Sequence, residues 1–419
     1  MHTKRTLSNG VRILYEYIPY VRSVTMGIWV KNGSRNERAA ENGASHFIEH
    51  MLFKGTDTRS ARDIAGITDK IGGQINAFTS RECTCFYGRV LDTHLNVLID
   101  VLGDMFFNSR FDDSDVENER GVIFEEIDMY DDTPDDLASE RLFSAVFKGS
   151  PLSRPVLGTK KSLAPMTGEF LKSYKSVHYS PQNTIIAVSG SFKETDIDDI
   201  AALFARMEKV PAAKAKPALY RPAIIVKKKR IEQNHLCLGF PGIDISSERR
   251  FAMQLMSSIL GGGSSSRLFQ SVREKSGLCY SIFSFSSGYE DTGLFTVYTA
   301  LNSETEKKAL ELIGHELRSL LEDGVTAEEL DCAREQTKAN ILMSLESTSS
   351  RMNRIARGEM MNGSTLEIEE IVERYDAVTR EDIRDIAINT FDMSQLSFSA
   401  VGKTAPVPEY ETLISKVMR

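Results

Sequence analysis

Residues 43–53 of this 419-residue chain read GASHFIEHMLF, and the decisive part is His46-Phe47-Ile48-Glu49-His50. On a helix, side chains four positions apart share a face, so both imidazoles can reach one metal ion. Glu49 lies on the flank of that face, where a carboxylate can reach a water molecule without binding the metal. Two imidazoles, a hard third ligand and a carboxylate base are the parts of a hydrolytic zinc site. The alternative is two histidines on a half-buried helix, satisfied by backbone carbonyls.

Such a site needs a third ligand, and residues 119–130 offer two candidates. Glu119 and Glu126 are seven positions apart and share a helix face, whereas Glu125 is rotated away from it. Val122, Ile123 and Ile127 are expected to give the same segment a buried side. A carboxylate on the inner face of an apolar helix is costly unless it is paired or bound to metal. Spacing alone does not say which of the two glutamates is the ligand.

These residues resemble peptidase family M16, the pitrilysin and mitochondrial-processing-peptidase group, and most of all its short-chain bacterial M16B type. The family carries the inverted zinc motif His-x-x-Glu-His, followed by a glutamate about eighty positions after the first histidine. The resemblance implies that His46, His50 and Glu126 are the ligands of one zinc ion per chain. It also implies that Glu49 is the general base and that Glu119 is an outer partner orienting a ligand histidine.

The resemblance extends to an edge run and to the second half of the chain. It implies that the run Asn76-Ala77-Phe78-Thr79 pairs with an extended substrate as an added strand, with Asn76, Ala77 and Phe78 as the substrate-binding residues. Arg273 and Tyr280 match a family arginine–tyrosine pair that donates hydrogen bonds to the substrate carbonyl. Without the resemblance, the run at 76–78 is an inner strand, Arg273 a solvated helix charge and Tyr280 a buried strand aromatic.

The length and the order of elements predict a duplicated fold. At 419 residues the chain exceeds one ordinary core, and the Ala/Lys/Pro-rich stretch at 211–222 has the composition of a linker. We therefore predict a zinc-binding domain at 1–210 and a second domain at 223–419 that lacks the metal site. Both halves mix strands with helices, which indicates an α+β fold. The expected form is two homologous α/β-roll domains, each a mostly antiparallel sheet with helices packed on one side.

Composition narrows the classes of partner and compartment. The formal net charge of −8 argues against nucleic acid as a main partner, and no apolar run is long enough to predict a membrane span. The N-terminus enters a strand pattern without an apolar signal core. The five cysteines are scattered, as in proteins of a reducing compartment. The expected location is the cytoplasm.

Taken together, the sequence predicts a zinc-dependent endopeptidase acting on short or unfolded peptides. The resemblance implies a closed chamber of four such domains, and because this chain supplies two, a homodimer is expected. Arg273 and Tyr280 would then act on the zinc site of the partner chain. The alternative is a non-catalytic scaffold or chaperone-type subunit. Family members of that kind tend to have lost motif residues, whereas all of these residues are present here.

Overall fold

The computed structural model describes residues 2–208 and 216–417. Its strands are β1 (Thr3–Thr6), β2 (Arg12–Tyr17), β3 (Ser23–Val30), β4 (Gln74–Thr79), β5 (Thr84–Leu91), β6 (Thr184–Gly190), β7 (Ile224–Lys228), β8 (Asn234–Gly242), β9 (Cys279–Gly288), β10 (Gly293–Leu301) and β11 (Ser397–Gly402).

Its α-helices are α1 (Ala44–Met51), α2 (Ala61–Lys70), α3 (Leu95–Asn108), α4 (Asp113–Asp132), α5 (Pro134–Val146), α6 (Lys160–Leu163), α7 (Gly168–His178), α8 (Glu194–Phe204), α9 (Arg250–Gly261), α10 (Glu306–Glu322), α11 (Ala327–Ser344), α12 (Thr348–Asn362), α13 (Ile368–Ala377), α14 (Arg380–Thr390) and α15 (Val407–Val417). A π-helical turn at Phe269–Glu274 follows the glycine-rich segment at 261–263.

The chain forms two compact units, and neither is continuous in sequence. The first comprises Met1–Asp128, Arg154–Lys216 and Met343–Leu366, and the second comprises Met129–Ser153, Pro217–Leu342 and Glu367–Arg419. The predicted domains 1–210 and 223–419 are each continuous in sequence. In the structure, the first unit includes residues 343–366 from the second half of the chain, and the second unit includes residues 129–153 from the first half. We call these two stretches the exchanged segments. The predicted linker at 211–222 lies partly outside the described residues, and residues 216–222 contain no helix or strand.

The first unit is built on a six-stranded sheet in the order β1-β2-β6-β3-β5-β4. The pair β2–β6 is parallel and the other pairs are antiparallel. The central strand β6 is buried along its whole length, as expected for a strand covered on both faces. One face carries the main core of this unit, which includes Phe47, Ile48 and Met51 from α1. That packing fixes the position of the helix that carries the histidine motif.

The second unit repeats this topology with five strands in the order β7-β11-β8-β10-β9. Its β7–β11 pair is parallel and the rest are antiparallel, so the order matches β2-β6-β3-β5-β4 strand for strand. The prediction of two related α+β units is confirmed. By this correspondence, β9 is the counterpart of the edge strand β4.

The exchanged segments bring one helix to the second face of each sheet. In the first unit, Met352 and Ile355 of α12 pack on Trp29 and Ile185, and the Trp29 indole N–H donates to the Met352 sulfur at 3.1 Å. In the second unit, α5 packs its apolar side on the sheet of β8, β10 and β11. The prediction placed helices on one side of each sheet. In the structure, one further helix packs on the other side of each sheet.

No helix in the described part of the chain combines the length and the apolar character that crossing a membrane requires.

Candidate metal centre

The helix that carries the motif, α1, is fixed at its first turn by a buried carboxylate. It begins after Gly43, whose φ of +96° is in the left-handed region. Glu37, only 2% exposed, accepts the backbone N–H groups of Gly43 and Ser45 at 2.8 Å each. These are N–H groups that the helix itself leaves without a partner. Glu37 therefore caps the helix one residue before the first motif histidine, and burial raises the pKa of its carboxyl group.

Three side chains from α1 and α4 converge on one point. The Nε2 atoms of His46 and His50 lie 3.7 and 3.6 Å from the same carboxylate oxygen of Glu126. All three potential ligand atoms fall within 4.8 Å of one another, and no other group of three such residues forms among the described residues. The structure therefore brings together residues eighty positions apart.

The spacing of these atoms fits a zinc ion. With metal–ligand bonds of about 2.0–2.1 Å and tetrahedral angles, two ligands of one zinc are roughly 3.4 Å apart, close to both observed separations. Two imidazole nitrogens and one carboxylate oxygen are also a donor set that zinc prefers, and three protein ligands leave a fourth position for water or substrate. The arrangement has the composition of a hydrolytic metal site and not of a closed structural one.

Glu119 and Glu126 have different positions relative to the two imidazoles, which the sequence spacing could not distinguish. Glu119 is 6% exposed, and its carboxylate lies 3.0 Å from Nδ1 of His50, on the side of the ring away from Glu126. Its second oxygen pairs with Lys54 at 2.6 Å. His46 lacks such support, because its buried Nδ1 has no hydrogen-bond partner among the described residues. Glu119 is thus placed to orient His50, and packing holds His46.

The charges of the site suit a cation. Burial, and then the neighbouring His50 ring, lowers the pKa of His46 to about 4, so this imidazole is neutral at pH 7. Burial alone would lower the pKa of His50, but the carboxylates of Glu126 and Glu119 together raise it above its ordinary value. The hydrogen bond from His50 lowers the pKa of Glu126. Two carboxylates therefore face the pair of imidazoles, and the cluster as a whole attracts positive charge.

Glu49 lies on the flank of α1 and has one hydrogen-bond partner among the described residues. The hydroxyl of Thr79 donates to its Oε2 at 2.5 Å. Burial raises the pKa of Glu49, and the bond from Thr79 offsets part of that rise. A carboxylate with a raised pKa, beside a potential metal site but outside the ligand set, is suited to accept and return a proton.

Asn76, Ala77 and Phe78 lie on β4, which is an edge strand of the six-stranded sheet. The Ala77 N–H donates to the side-chain oxygen of its neighbour Asn76 at 2.8 Å, so it is not used in the ladder with β5. The Phe78 ring, in contrast, packs on Trp29 with ring centres 5.4 Å apart. β4 therefore presents an open edge at Ala77, whose N–H bonds to the Asn76 side chain and not to a further strand, whereas the Phe78 side chain packs against the core.

Arg273 and Tyr280 lie together in the second unit. The Arg273 guanidinium is 5.3 Å from the centre of the Tyr280 ring and 4.6 Å from that of Phe269. Tyr280 is 74% exposed and is the second residue of the edge strand β9. The plain alternative of a buried strand aromatic is therefore wrong for Tyr280, because its ring is presented to solvent beside a cation.

Three supporting roles were missed in the sequence: those of Glu37 and Lys54, and the hydrogen bond from Thr79, a residue of the edge run, to Glu49. Strand alternation contained a signal for Thr79, because Ile75, Ala77 and Thr79 share the face of β4 that meets the helices. Lys54 is eight positions after His46, just beyond the end of α1, and no pattern pointed from it to Glu119. Glu37 lies outside the helix that it caps.

Two family models match successive parts of the chain. Residues 12–160 match the family model described as Insulinase (Peptidase family M16). Residues 165–337 match the model described as Peptidase M16 inactive domain. The metal cluster falls within the first of these matches.

Relatives of similar length carry zinc-protease names. The chain is 42% identical over 392 residues to an uncharacterized zinc protease, YmxG, of Bacillus subtilis, covering 93% of this chain and 96% of that one. It is 39% identical over 394 residues to an uncharacterized zinc protease of Streptomyces coelicolor, covering 92% and 86%. Among solved structures, a peptidase M16 inactive domain from Pseudomonas fluorescens superposes with a TM-score of 0.90 at 21% identity, covering 96% of this chain and 98% of that one.

Proposed function

Because the chain belongs to peptidase family M16, we propose that it is a zinc-dependent endopeptidase that cleaves short or unfolded peptides. The observation that carries the proposal is the convergence of His46, His50 and Glu126 within 4.8 Å. A fourth side chain, the carboxylate of Glu49, lies beside them and outside the ligand set. One zinc ion per chain is part of the proposal, since the described residues contain one such cluster.

In this proposal His46, His50 and Glu126 hold the zinc, and Glu119 fixes the ring of His50. A zinc ion there would polarise the substrate carbonyl and lower the pKa of a water molecule. Glu49 would take a proton from the water molecule as the oxygen of that water bonds to the peptide carbon. Glu49 then gives the proton to the departing amine nitrogen as the carbon–nitrogen bond breaks.

Peptide binding would use the open edge of β4. An extended chain that pairs with the backbone at 76–78 gains main-chain hydrogen bonds, which read little sequence and exclude folded proteins. Ala77→Pro tests this step, because proline removes an N–H that the ladder does not use and is tolerated at sheet edges. We expect a raised KM with unchanged zinc affinity. An unchanged KM would contradict strand pairing at this position.

The second unit would contribute the Arg273–Tyr280 pair. The hydroxyl of the exposed Tyr280 and the guanidinium of Arg273 can donate hydrogen bonds to the substrate carbonyl as negative charge develops on its oxygen. We propose that the chain acts as a homodimer enclosing a chamber and that this pair acts on the zinc site of the partner chain. Mixed dimers of His46→Ala and Tyr280→Phe chains should then regain activity that neither variant has alone. Verified mixed dimers without recovery would contradict action between chains.

We also propose that the protein is located in the cytoplasm, which is a reducing compartment, because all five cysteines carry free thiols. The competing function is a non-catalytic scaffold or chaperone-type subunit. The intact set of ligands, with a half-buried Glu49 that accepts a hydrogen bond from Thr79, favours the enzyme over the scaffold, since a scaffold does not need a general base.

The direct test of the function is Glu49→Gln, which keeps the shape of the side chain but cannot accept a proton. We expect zinc content equal to that of the native chain and a loss of peptide turnover of roughly 10²–10⁴-fold. Glu125→Gln is the matched control, because Glu125 is an exposed glutamate on α4. A native chain that binds no zinc and cleaves none of a diverse peptide mixture would favour the scaffold.

A further inference from the structure

Among the described residues, Glu49 has one hydrogen bond, and its donor lies on the predicted substrate strand. Thr79 is the last residue of β4, and its hydroxyl lies 2.5 Å from Oε2 of Glu49. An ionised carboxylate only accepts hydrogen bonds, so Thr79 is the donor. No second partner of Glu49 is found in the described ranges, and its three side-chain torsions are otherwise restrained only by packing.

The Thr79 hydroxyl is itself fixed by the sheet. Thr79 pairs in register with Thr84 at the start of β5. Thr84 is fully buried, and its hydroxyl donates to the carbonyl oxygen of Asn32 at 2.9 Å. The two threonine hydroxyl oxygens are 3.4 Å apart. Because Thr84 gives its proton to Asn32, its oxygen can act toward Thr79 only as an acceptor. At 3.4 Å it is a much weaker acceptor for the Thr79 proton than Oε2 of Glu49 at 2.5 Å.

We propose that Thr79 is a positioning residue that holds Glu49 in the orientation needed for proton transfer. The inference rests on the proposed function and adds one consequence. That consequence is a second role for β4, because the strand that offers the open edge at 76–78 also supplies the hydroxyl that aligns the base.

Two substitutions separate this role from simple packing. Thr79→Val keeps the shape and the strand preference of the side chain but removes the hydroxyl, whereas Thr79→Ser keeps the hydroxyl. A displacement of a catalytic group by about 1 Å costs on the order of 10²-fold in rate. We expect kcat of Thr79→Val to fall roughly 10- to 100-fold with KM and zinc affinity within about twofold of native. Thr79→Ser should recover most of kcat.

A readout without turnover completes the test. In crystal structures of the zinc-loaded variants, the Glu49 carboxylate should be displaced or spread over several rotamers in Thr79→Val and should keep its native position in Thr79→Ser. Thr6→Val, at an exposed threonine on β1 at the opposite edge of the sheet, is the control and should change neither kcat nor the position of Glu49.

Three results would overturn the proposal: native kcat in Thr79→Val, an equal loss of kcat in Thr79→Ser, or an undisturbed Glu49 in Thr79→Val. If the native chain cleaves no peptide, the proposed function fails. The crystal structures would still show whether Thr79 positions Glu49.

Discussion

Replacing Glu119 by glutamine tests whether the outer carboxylate supports the metal site. In the native chain one oxygen of Glu119 lies 3.0 Å from Nδ1 of His50 and the other 2.6 Å from the Lys54 ammonium group. Glutamine has one acceptor oxygen and one NH₂ group. If the oxygen serves His50, the NH₂ group faces Lys54, donor against donor. If it serves Lys54, His50 loses its acceptor.

The magnitude follows from the role of such partners. Loss of an outer partner of a metal-bound histidine costs about 10- to 100-fold in metal affinity, which is about 1.4–2.7 kcal/mol. We expect the lower part of this range. Lys54, 35% exposed at its side chain, can turn to solvent, so the glutamine oxygen can keep the bond from His50, but as a neutral and weaker acceptor.

The assay is competition for zinc with a chromophoric chelator, which reports the dissociation constant without turnover. Glu125→Gln makes the same change of charge on the same helix at an exposed position and should bind zinc as the native chain does. Equal zinc affinity in the Glu119 and Glu125 variants would refute the idea that Glu119 orients His50.

Three further predictions concern the same unit of the fold. Gly43→Ala should lower the free energy of urea unfolding by about 1–3 kcal/mol, because φ is +96° and a Cβ would lie 2.7 Å from the Leu163 side chain. Gly66 lies inside α2 with open space around it, so Gly66→Ala should instead raise the free energy of unfolding by about 0.5–1 kcal/mol. Burial, and then the charge of Lys172, lowers the pKa of Lys175 to about 8, whereas a lysine in the unfolded chain has a pKa of about 10.4. Between these two pH values the unfolded chain binds one proton more than the native chain, so the free energy of unfolding rises with pH there. Lys175→Met should therefore unfold at higher urea than the native chain at pH 7, by up to about 3 kcal/mol, with the difference closing toward pH 10. Zinc at a hundred times its dissociation constant should raise the unfolding free energy of the native chain by about 2.7 kcal/mol, as followed by thermal melting, and chelation should reverse the effect; His46→Ala should show no shift.

Local patterns predicted much of the fold. The mixture of strands and helices in each half of the chain predicted two related α+β domains, and the structure has two sheets whose strand orders correspond. In contrast, the packing of α12 on the sheet of the first unit had no signal in the sequence. The apolar stripe of a helix says that it is buried but not against which sheet. Met352 and Trp29 are 323 positions apart.

The candidate site shows the same limit. The spacing of His46 and His50 predicted two imidazoles on one face, because the interaction is local to one helix turn. The choice between Glu119 and Glu126 depends on how α4 is rotated about its axis against α1, which is a property of the packed core. Thr79 had a partial signal in strand alternation. The geometry that brings its hydroxyl to Glu49 depends on the distance between β4 and α1.

The most direct test of the account is a zinc-edge anomalous difference map from crystals of the zinc-loaded protein. The account predicts one strong peak per chain, about 2.0–2.2 Å from Nε2 of His46, Nε2 of His50 and a carboxylate oxygen of Glu126. A map with no peak there, or with a peak whose ligands exclude Glu126, would contradict it.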